Sequence, residues 1–419
     1  MDLRPLRRNR DFRALFAAQL VSFLGTMVTY VALPYQMYKL THSSLAVGLL
    51  GLAELLPLLV TAFVGGALAD TVDRRRMVLF TEAGLALGSG ALACTALFAA
   101  PAWTLYAIAA YMSALNGLQR PSIDALTPRL VHRDEMPATA ALAAFRGSLG
   151  MIAGPALGGA LIASTGLAAT YLFDLATYVF SVFAILSIRS VVPPETTDSP
   201  SLRSVVDGFR YAWSRQELIG TYVVDFVAMV FGMPLALFPA LSENLGGPRV
   251  LGLLYGAPAC GALLASLTSR WTPRVTRHGL AVMLAATAWG LAIIGFGFSS
   301  RLIPALAMLA LAGGADAVSG MFRMTLWNQT IPDTLRGRLA GIEMVSYMSG
   351  PLLGHVEAGL VAAAFSVQVS VVSGGVLCML GVLLCGALLP RFVAYDARAY
   401  NAAGAAVAAK EIEHEEKAG

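Results

Sequence analysis

Several ionisable side chains stand inside stretches that are otherwise apolar, and these are the residues able to do chemistry. Glu54 lies between Leu52 and Leu55-Leu56-Pro57, Asp225 between Val224 and Phe226, and Asp316 between Ala315 and Ala317. A charge at the centre of a membrane helix costs about 2.5 to 3.5 kcal/mol on insertion scales unless it faces a cavity or a partner. A carboxyl there suits a protonatable group that loads a proton on one side and releases it on the other. Glu54 is the first candidate, with a glutamate hydrogen-bonded between helices as the alternative reading, and Asp225 and Asp316 come next. Glu343, His355 and Glu357 share one run. The two acids lie on one helical face about 21 Å apart, too far for a single site. Glu343 is expected near an inner gate. Glu357 belongs to the outer half, where it approaches Glu54 if their helices meet, and His355 points elsewhere and reads as a packed residue. Arg146 reads as the one arginine well inside an apolar run. It needs an acid, either Asp124, Glu343 or a carboxylate in a cavity, or else it snorkels to the surface. Glu82 and Asp174 read as structural.

The apolar setting is a property of the whole chain. Of its 419 residues 57% are hydrophobic and 13% are charged, with a mean hydropathy of +0.69, which is too apolar for a water-soluble surface. A net charge of +4, spread over short loops, is no nucleic-acid footprint. Cys94, Cys260, Cys378 and Cys385 all fall in apolar runs and the histidines are scattered, so neither a disulfide framework nor a metal site is indicated, and no cofactor is expected. The first apolar run follows a basic start but is too long for a cleaved signal peptide.

Twelve apolar runs follow one another, near 12–37, 45–69, 77–99, 103–120, 138–164, 167–188, 218–241, 250–269, 279–298, 302–322, 339–365 and 369–389. Each is long enough to span a bilayer. Arginines and lysines crowd alternate loops and leave only Lys39, Arg249 and Arg301 for the others, so the positive-inside rule puts both termini in the cytoplasm. The expected organisation is a six-helix bundle over 1–190, a linker over 191–217, a second six-helix bundle over 218–395 and a cytoplasmic tail over 396–419. In the linker, Leu202, Val205, Val206, Phe209 and Trp213 fall at helical spacing, an amphipathic helix lying either on the membrane surface or on protein. The halves repeat. Gly154-Pro155-Ala156-Leu157-Gly158 in the fifth run returns as Gly350-Pro351-Leu352-Leu353-Gly354 in the eleventh. Such duplication matches the architecture of alternating-access transporters, with a site near the midplane between the halves.

Two motifs give the pattern a family. Between the second and third runs stands Gly65-Gly66-Ala67-Leu68-Ala69-Asp70-Thr71-Val72-Asp73-Arg74-Arg75-Arg76. Gly66, Leu68, Asp70, Arg74 and Arg75 resemble the G-x-L-x-D-x-x-G-R-[RK] loop of the major facilitator superfamily, with Asp73 where the family has glycine. Gly150, Gly154, Pro155, Gly158 and Gly159 in the fifth run resemble the G-x-x-x-G-P-x-x-G-G motif of its exporter branches, where it is associated with antiport. Leu45-Ala46-Val47-Gly48-Leu49, Pro332-Asp333-Thr334-Leu335-Arg336-Gly337-Arg338, Met233-Pro234 and Phe238-Pro239-Ala240-Leu241 are similar to the drug:proton antiporter branch.

The resemblance implies an all-α membrane protein of twelve transmembrane helices in two pseudo-symmetric six-helix bundles. It also implies a cytoplasmic gate in which Asp70, with Gly66, Asp73, Arg74 and Arg75, meets the start of the eleventh span at Arg336, Arg338 and Glu343. A cavity lined by Gln19, Thr26, Tyr30, Asn116, Arg146 and Met229 would suit a bulky, partly hydrophobic molecule. The expected function is export of a drug or siderophore from a bacterial cell across the cytoplasmic membrane in exchange for protons, by a monomer in the lipid bilayer. An importer of the same fold is disfavoured by the Gly-Pro motif, and a membrane sensor by the lack of a signalling domain. An enzyme is disfavoured because no catalytic dyad or phosphate-binding loop is present.

Overall fold

Apolar runs this long can satisfy their backbone groups in lipid only as helices, and every regular element of the computed structural model is helical among the residues it describes, 2–69, 73–189, 210–332 and 335–398. The chain forms α1 (Arg10–Thr41), α2 (Ser44–Ala69), α3 (Arg74–Leu97) and α4 (Trp103–Leu130), then one continuous helical stretch, Met136–Leu186. Straight, those 51 residues would run about 76 Å, more than twice the hydrocarbon thickness of a bilayer. Gly166 breaks them at φ 82° and ψ 174°, a conformation open to glycine, leaving the arms 136–165 (α5) and 167–186 (α6). The second part comprises α7 (Gln216–Leu245), α8 (Pro248–Leu267), α9 (His278–Gly297), α10 (Leu302–Thr330), α11 (Arg336–Ala364) and α12 (Val367–Leu388).

Among the described residues nine helices are long and apolar enough to cross a membrane, with Met136–Leu186 counted once. Helix α4 is as long but carries Asn116, Gln119 and Arg120. Hydropathy ends the fourth and tenth runs at residues 120 and 322, whereas α4 and α10 continue to Leu130 and Thr330. An arginine does not break a helix, and the backbone turns extended only at Val131 and Ile331.

Helix α7 does break, at Gly232-Met233-Pro234. Its freed carbonyls are taken up by neighbours. Trp289 Nε1 donates to Gly232 O at 2.8 Å and Tyr255 OH to Leu235 O at 3.0 Å, which makes the kink tolerable in lipid.

The contacts follow a repeat. Helix α1 packs on α5 and α6, α2 on α4, and α3 on α4 and α6; in the second part α7 packs on α11 and α12, α8 on α10, and α9 on α10 and α12. Raising each label by six converts the first set into the second. The two parts touch through α2 on α11 and α8 on α5, contacts related by the same operation. Leu56, Phe80, Leu87, Phe183, Leu311 and Leu384 lie exposed on the outer surface, as a lipid-facing belt requires.

The chain beyond Tyr395, where a free tail was expected, is held at its start. Ala397 N donates to Thr276 O at 2.9 Å, Tyr395 OH donates to Gln329 Oε1 at 3.0 Å, and Phe392 is buried. Most of the 191–217 linker lies outside the described residues. Of its expected amphipathic face only Trp213 is described, and it is exposed.

Candidate transport pathway and its charged residues

The densest charge in the interior is a group that the apolar runs hid. Arg323 in α10 forms an ion pair with Asp225 of α7, and its second nitrogen stands 3.7 Å from Asp316, two turns earlier on its own helix. Arg146 is therefore not the one arginine inside a spanning helix, because α10 continues past residue 322 and carries Arg323 within it. A signal was present in the spacing. Asp316 and Arg323 fall on one helical face. The Asp225 and Arg323 side chains are each 13% exposed, so they are nearly dry, while Asp316 at 38% is the most open of the three. One turn toward the helix ends, Trp327 Nε1 donates to Thr221 Oγ1 at 2.8 Å and the ring stacks on Tyr222 at 5.4 Å, locking α7 against α10 beside the charges.

Glu54 sits in α2 about 15 Å from its start, within electrostatic reach of Tyr30 on α1 and Tyr255 on α8. Those two rings meet edge to face at 5.4 Å across the seam between the parts. Ser113 Oγ of α4 donates to the Glu54 carbonyl at 2.8 Å, which ties the backbone beneath it. The structure does not bring Glu357 to Glu54. Where α2 meets α11, the face of α11 is formed by Leu352, His355 and Gly359 against Gly48 and Gly51, and Glu357 points off that face. His355 is the residue packed at the contact, and its Nε2 has no hydrogen-bond partner among the described residues.

The other expected cavity residues divide. Gln19, Arg146 and Asp124 line one cavity of about 200 Å³ between α1, α4 and α5. Arg146 forms no ion pair among the described residues; of its expected acids Asp124 stands in the same cavity within electrostatic reach, and the Glu343 side chain lies outside the described residues. Thr26 turns inward to the Tyr178 hydroxyl at 2.8 Å and Met229 packs under Gly350, so both hold helices together. Asn116 is half-buried on α4 and Tyr30 is part of the seam.

Glu82 and Asp174, read as structural, lie well inside their helices, 2% and 0% exposed, in a seam of hydroxyls and amides. Asp174 accepts from Thr29 Oγ1 at 2.6 Å and Ser89 Oγ at 2.7 Å, and Glu82 from Gln119 Nε2 at 2.9 Å. These bonds join α1, α3, α4 and α6. Substituting Asp174→Ala removes an acceptor from two buried hydroxyls, so thermal unfolding in detergent should show about 1 to 3 kcal/mol of lost stability, with Asp174→Asn losing much less. An unchanged transition in Asp174→Ala would refute the structural role.

Asp73 is the N-cap of α3, accepting from Arg75 N at 2.9 Å and Arg76 N at 3.4 Å, which is why an acid serves where a glycine was expected. Arg75 reaches the α6 terminus, donating to Ile185 O at 3.1 Å and Leu186 O at 2.7 Å. Arg74 is buried and Gly66 lies within α2. Asp70 and the side chains of Arg336, Arg338 and Glu343 lie outside the described residues. In α5 the glycine face packs on α1, with Gly150 against Phe23, Gly154 against Met27 and Gly158 against Val28. Its other edge crosses the seam. A Cβ on Gly159 would stand 2.6 Å from Pro248 O, and one on Gly252 of α8 would overlap the Pro155 carbonyl. Gly350 and Gly354 repeat the first contact against Met229 and Val230 of α7. Among the described residues no three His, Cys, Asp or Glu side chains gather as a metal site would need.

Known proteins are similar to this chain in sequence or fold. The enterobactin exporter EntS of Escherichia coli O1:K1 / APEC is 29% identical over 391 residues, 93% of either chain, and EntS of Shigella boydii serotype 18 matches equally. Among solved structures, a bacterial homologue of the iron transporter ferroportin in its inward-facing state superposes with a TM-score of 0.69 at 17% identity, covering 92% of this chain and 98% of that one. A bacterial homologue of the human lysosomal transporter Spinster, also inward-facing, gives 0.70 at 14% identity over 91% and 95%. Residues 2–417 match the family described as transmembrane secretion effector. With its paired helix sets, its glycine seam and its charges held in an apolar interior, the chain is a multi-pass membrane transporter of the major facilitator superfamily and belongs to the transmembrane secretion effector family.

Proposed function

We propose that the protein is a proton-coupled secondary exporter that carries a hydrophobic or amphipathic small molecule, a drug or a siderophore, out of a bacterial cell across the cytoplasmic membrane. Twelve spans in two six-helix halves, 1–190 and 218–395, form the monomer, and the arginine distribution sets both termini inside. The observation that carries the reading is the Asp225–Arg323–Asp316 group in the apolar interior. A proton arriving on Asp225 competes with the guanidinium, and breaking that pair shifts the balance between two packings of the halves. In the arrangement described here, glycine contacts between the halves lie at the end bearing the 41–44 turn, the outer end under this topology. That supports an outward-closed state, which alternates with an outward-open one to release cargo. The resemblance to the enterobactin exporter favours efflux, and the close contact of Pro155 and Gly159 with α8 supports a role for the Gly-Pro motif where the halves part.

Glu54 is the second protonatable group on the path. Proton flux in proteoliposomes under an imposed pH gradient, screened with siderophores, macrolides and tetracyclines, tests the whole reading. Substrate-dependent proton movement is expected from the wild type, reduced about tenfold or more in Glu54→Gln if this carboxyl shares the coupling. Flux kept in Glu54→Gln would leave Asp225 as the coupling acid, and no substrate-dependent flux with any compound would overturn the exporter.

A further inference from the structure

We propose that the Gln19–Arg146 cavity is a subsite for an ionised acidic group of the transported molecule, a carboxylate or a comparably charged oxygen; this rests on the exporter reading and names the chemistry of its cargo. The cavity, of about 200 Å³, has walls of Leu15, Phe16 and Ile123, and Gln19, Asp124 and Arg146 at its polar side. Gln19 is 9% exposed and its Nε2 has no acceptor among the described residues, and the Arg146 Nε is buried without one there. A buried donor left unpaired is costly, and more so when charged. Two such donors lining one cavity mark a place where an acceptor comes and goes.

Its charge points the same way. Among the described residues Asp124 and Arg120 are the ionised groups within electrostatic reach of Arg146, so two cations stand against one anion. The other half shows what fills such a place when the chain supplies both partners. Gln19 lies about 14 Å along α1 from its start and Asp225 lies as far along α7, its counterpart six labels on. There Asp225 is taken by Arg323. In the first half a neutral amide stands at the position of that aspartate, and the arginine beside it, with Asp124 in the same cavity, forms no ion pair among the described residues. The exported molecule brings the missing acid, with its apolar body against Leu15 and Phe16. Guanidinium is suited to this, since its fork matches a carboxylate in two bonds.

The test uses the fluorescent pair 2-naphthoate and 2-naphthamide, alike in size and apolar area and different in charge, titrated against the full-length protein in phosphatidylcholine nanodiscs. Wild type is expected to bind the acid at least about tenfold tighter than the amide. Arg146→Gln should abolish that preference, Arg146→Lys keep part of it, and Asp124→Asn strengthen acid binding about threefold by removing the local negative charge. Equal affinity of wild type for the two compounds, or a preference unchanged in Arg146→Gln and Arg146→Lys, overturns the subsite. Displacement of naphthoate by added phosphatidylglycerol, dependent on Arg146, assigns the cavity to a lipid acid and overturns it as a cargo site. The two readings fail separately. Binding through Arg146 without proton flux would sink the exporter alone, and proton flux with uncharged cargo but no acid preference would sink the subsite alone.

Discussion

Arg323→Gln is expected to abolish substrate-driven proton flux and to destabilise the protein, whereas the double variant Asp225→Asn with Arg323→Gln should regain most of the stability and none of the flux. Arg323 stands between two carboxylates in an apolar interior. Removing the cation leaves Asp225 nearly dry and unpaired, a loss of about 3 to 5 kcal/mol for one partner of a buried pair. Removing both charges takes away the desolvation penalty with the attraction, so the double variant lies closer to wild type than the single one. Function follows a different rule. The proposed coupling needs a carboxyl whose bond to the guanidinium a proton can break, and neither variant has it. Thermal unfolding in detergent and proton flux in proteoliposomes read the two effects independently. A single variant as stable as wild type would show that the pair is not a structural tie, and wild-type flux in the double variant would remove the group from coupling.

Gly252→Val should arrest transport with the protein held open at the end bearing the 41–44 turn. A side chain at Gly252 overlaps the Pro155 carbonyl, and one at Gly48 overlaps the carbonyl of His355. Both obstacles are backbone, which cannot rotate aside, so the helices must separate by the width of the added group. Glycine at these sites serves close approach between the halves. Export should fall about tenfold or more, since a population shift of about 1.4 kcal/mol per tenfold is small against such an overlap. Spin labels at positions 42 and 243 should report a longer distance than in wild type. Gly147→Ala is the control, because nothing lies within 4 Å of a Cβ there. Full export by Gly252→Val, with the label distance unchanged, would take the seam out of the mechanism.

Legibility differed from site to site for physical reasons. Asp225 and Asp316 are visible because a carboxyl in an apolar run stands out, yet their arginine is not, because hydropathy ends that run at residue 322, one residue before it. Arg323 lies in the last two turns of α10, where helix continuation depends on the absence of a breaker and on Trp327 and Thr221 closing α10 on α7. A meeting of α2 and α11 is the ground for expecting Glu357 near Glu54. That meeting occurs, but close glycine packing brings Leu352 and His355 to the contact and turns Glu357 aside. Thr26 and Met229 are polar or soft enough for a cavity wall, and only rotation of α1 and α7 about their axes gives them to Tyr178 and Gly350.

By itself the sequence determined a helical membrane protein, its duplicated glycine-proline motif and its family, because lipid leaves the backbone few options and local composition enforces them. It also singled out Glu54, Asp225 and Arg146 as charges needing a reason. Only the tertiary structure decided what each of them meets. Arg323 closes on Asp225 and Asp316, Arg146 is left beside Gln19 and Asp124 with no ion pair among the described residues, and Pro155 and Gly159 sit on the seam with α8. Partners on different helices are set by how those helices rotate and cross, and that is a property of packing between segments far apart in the chain.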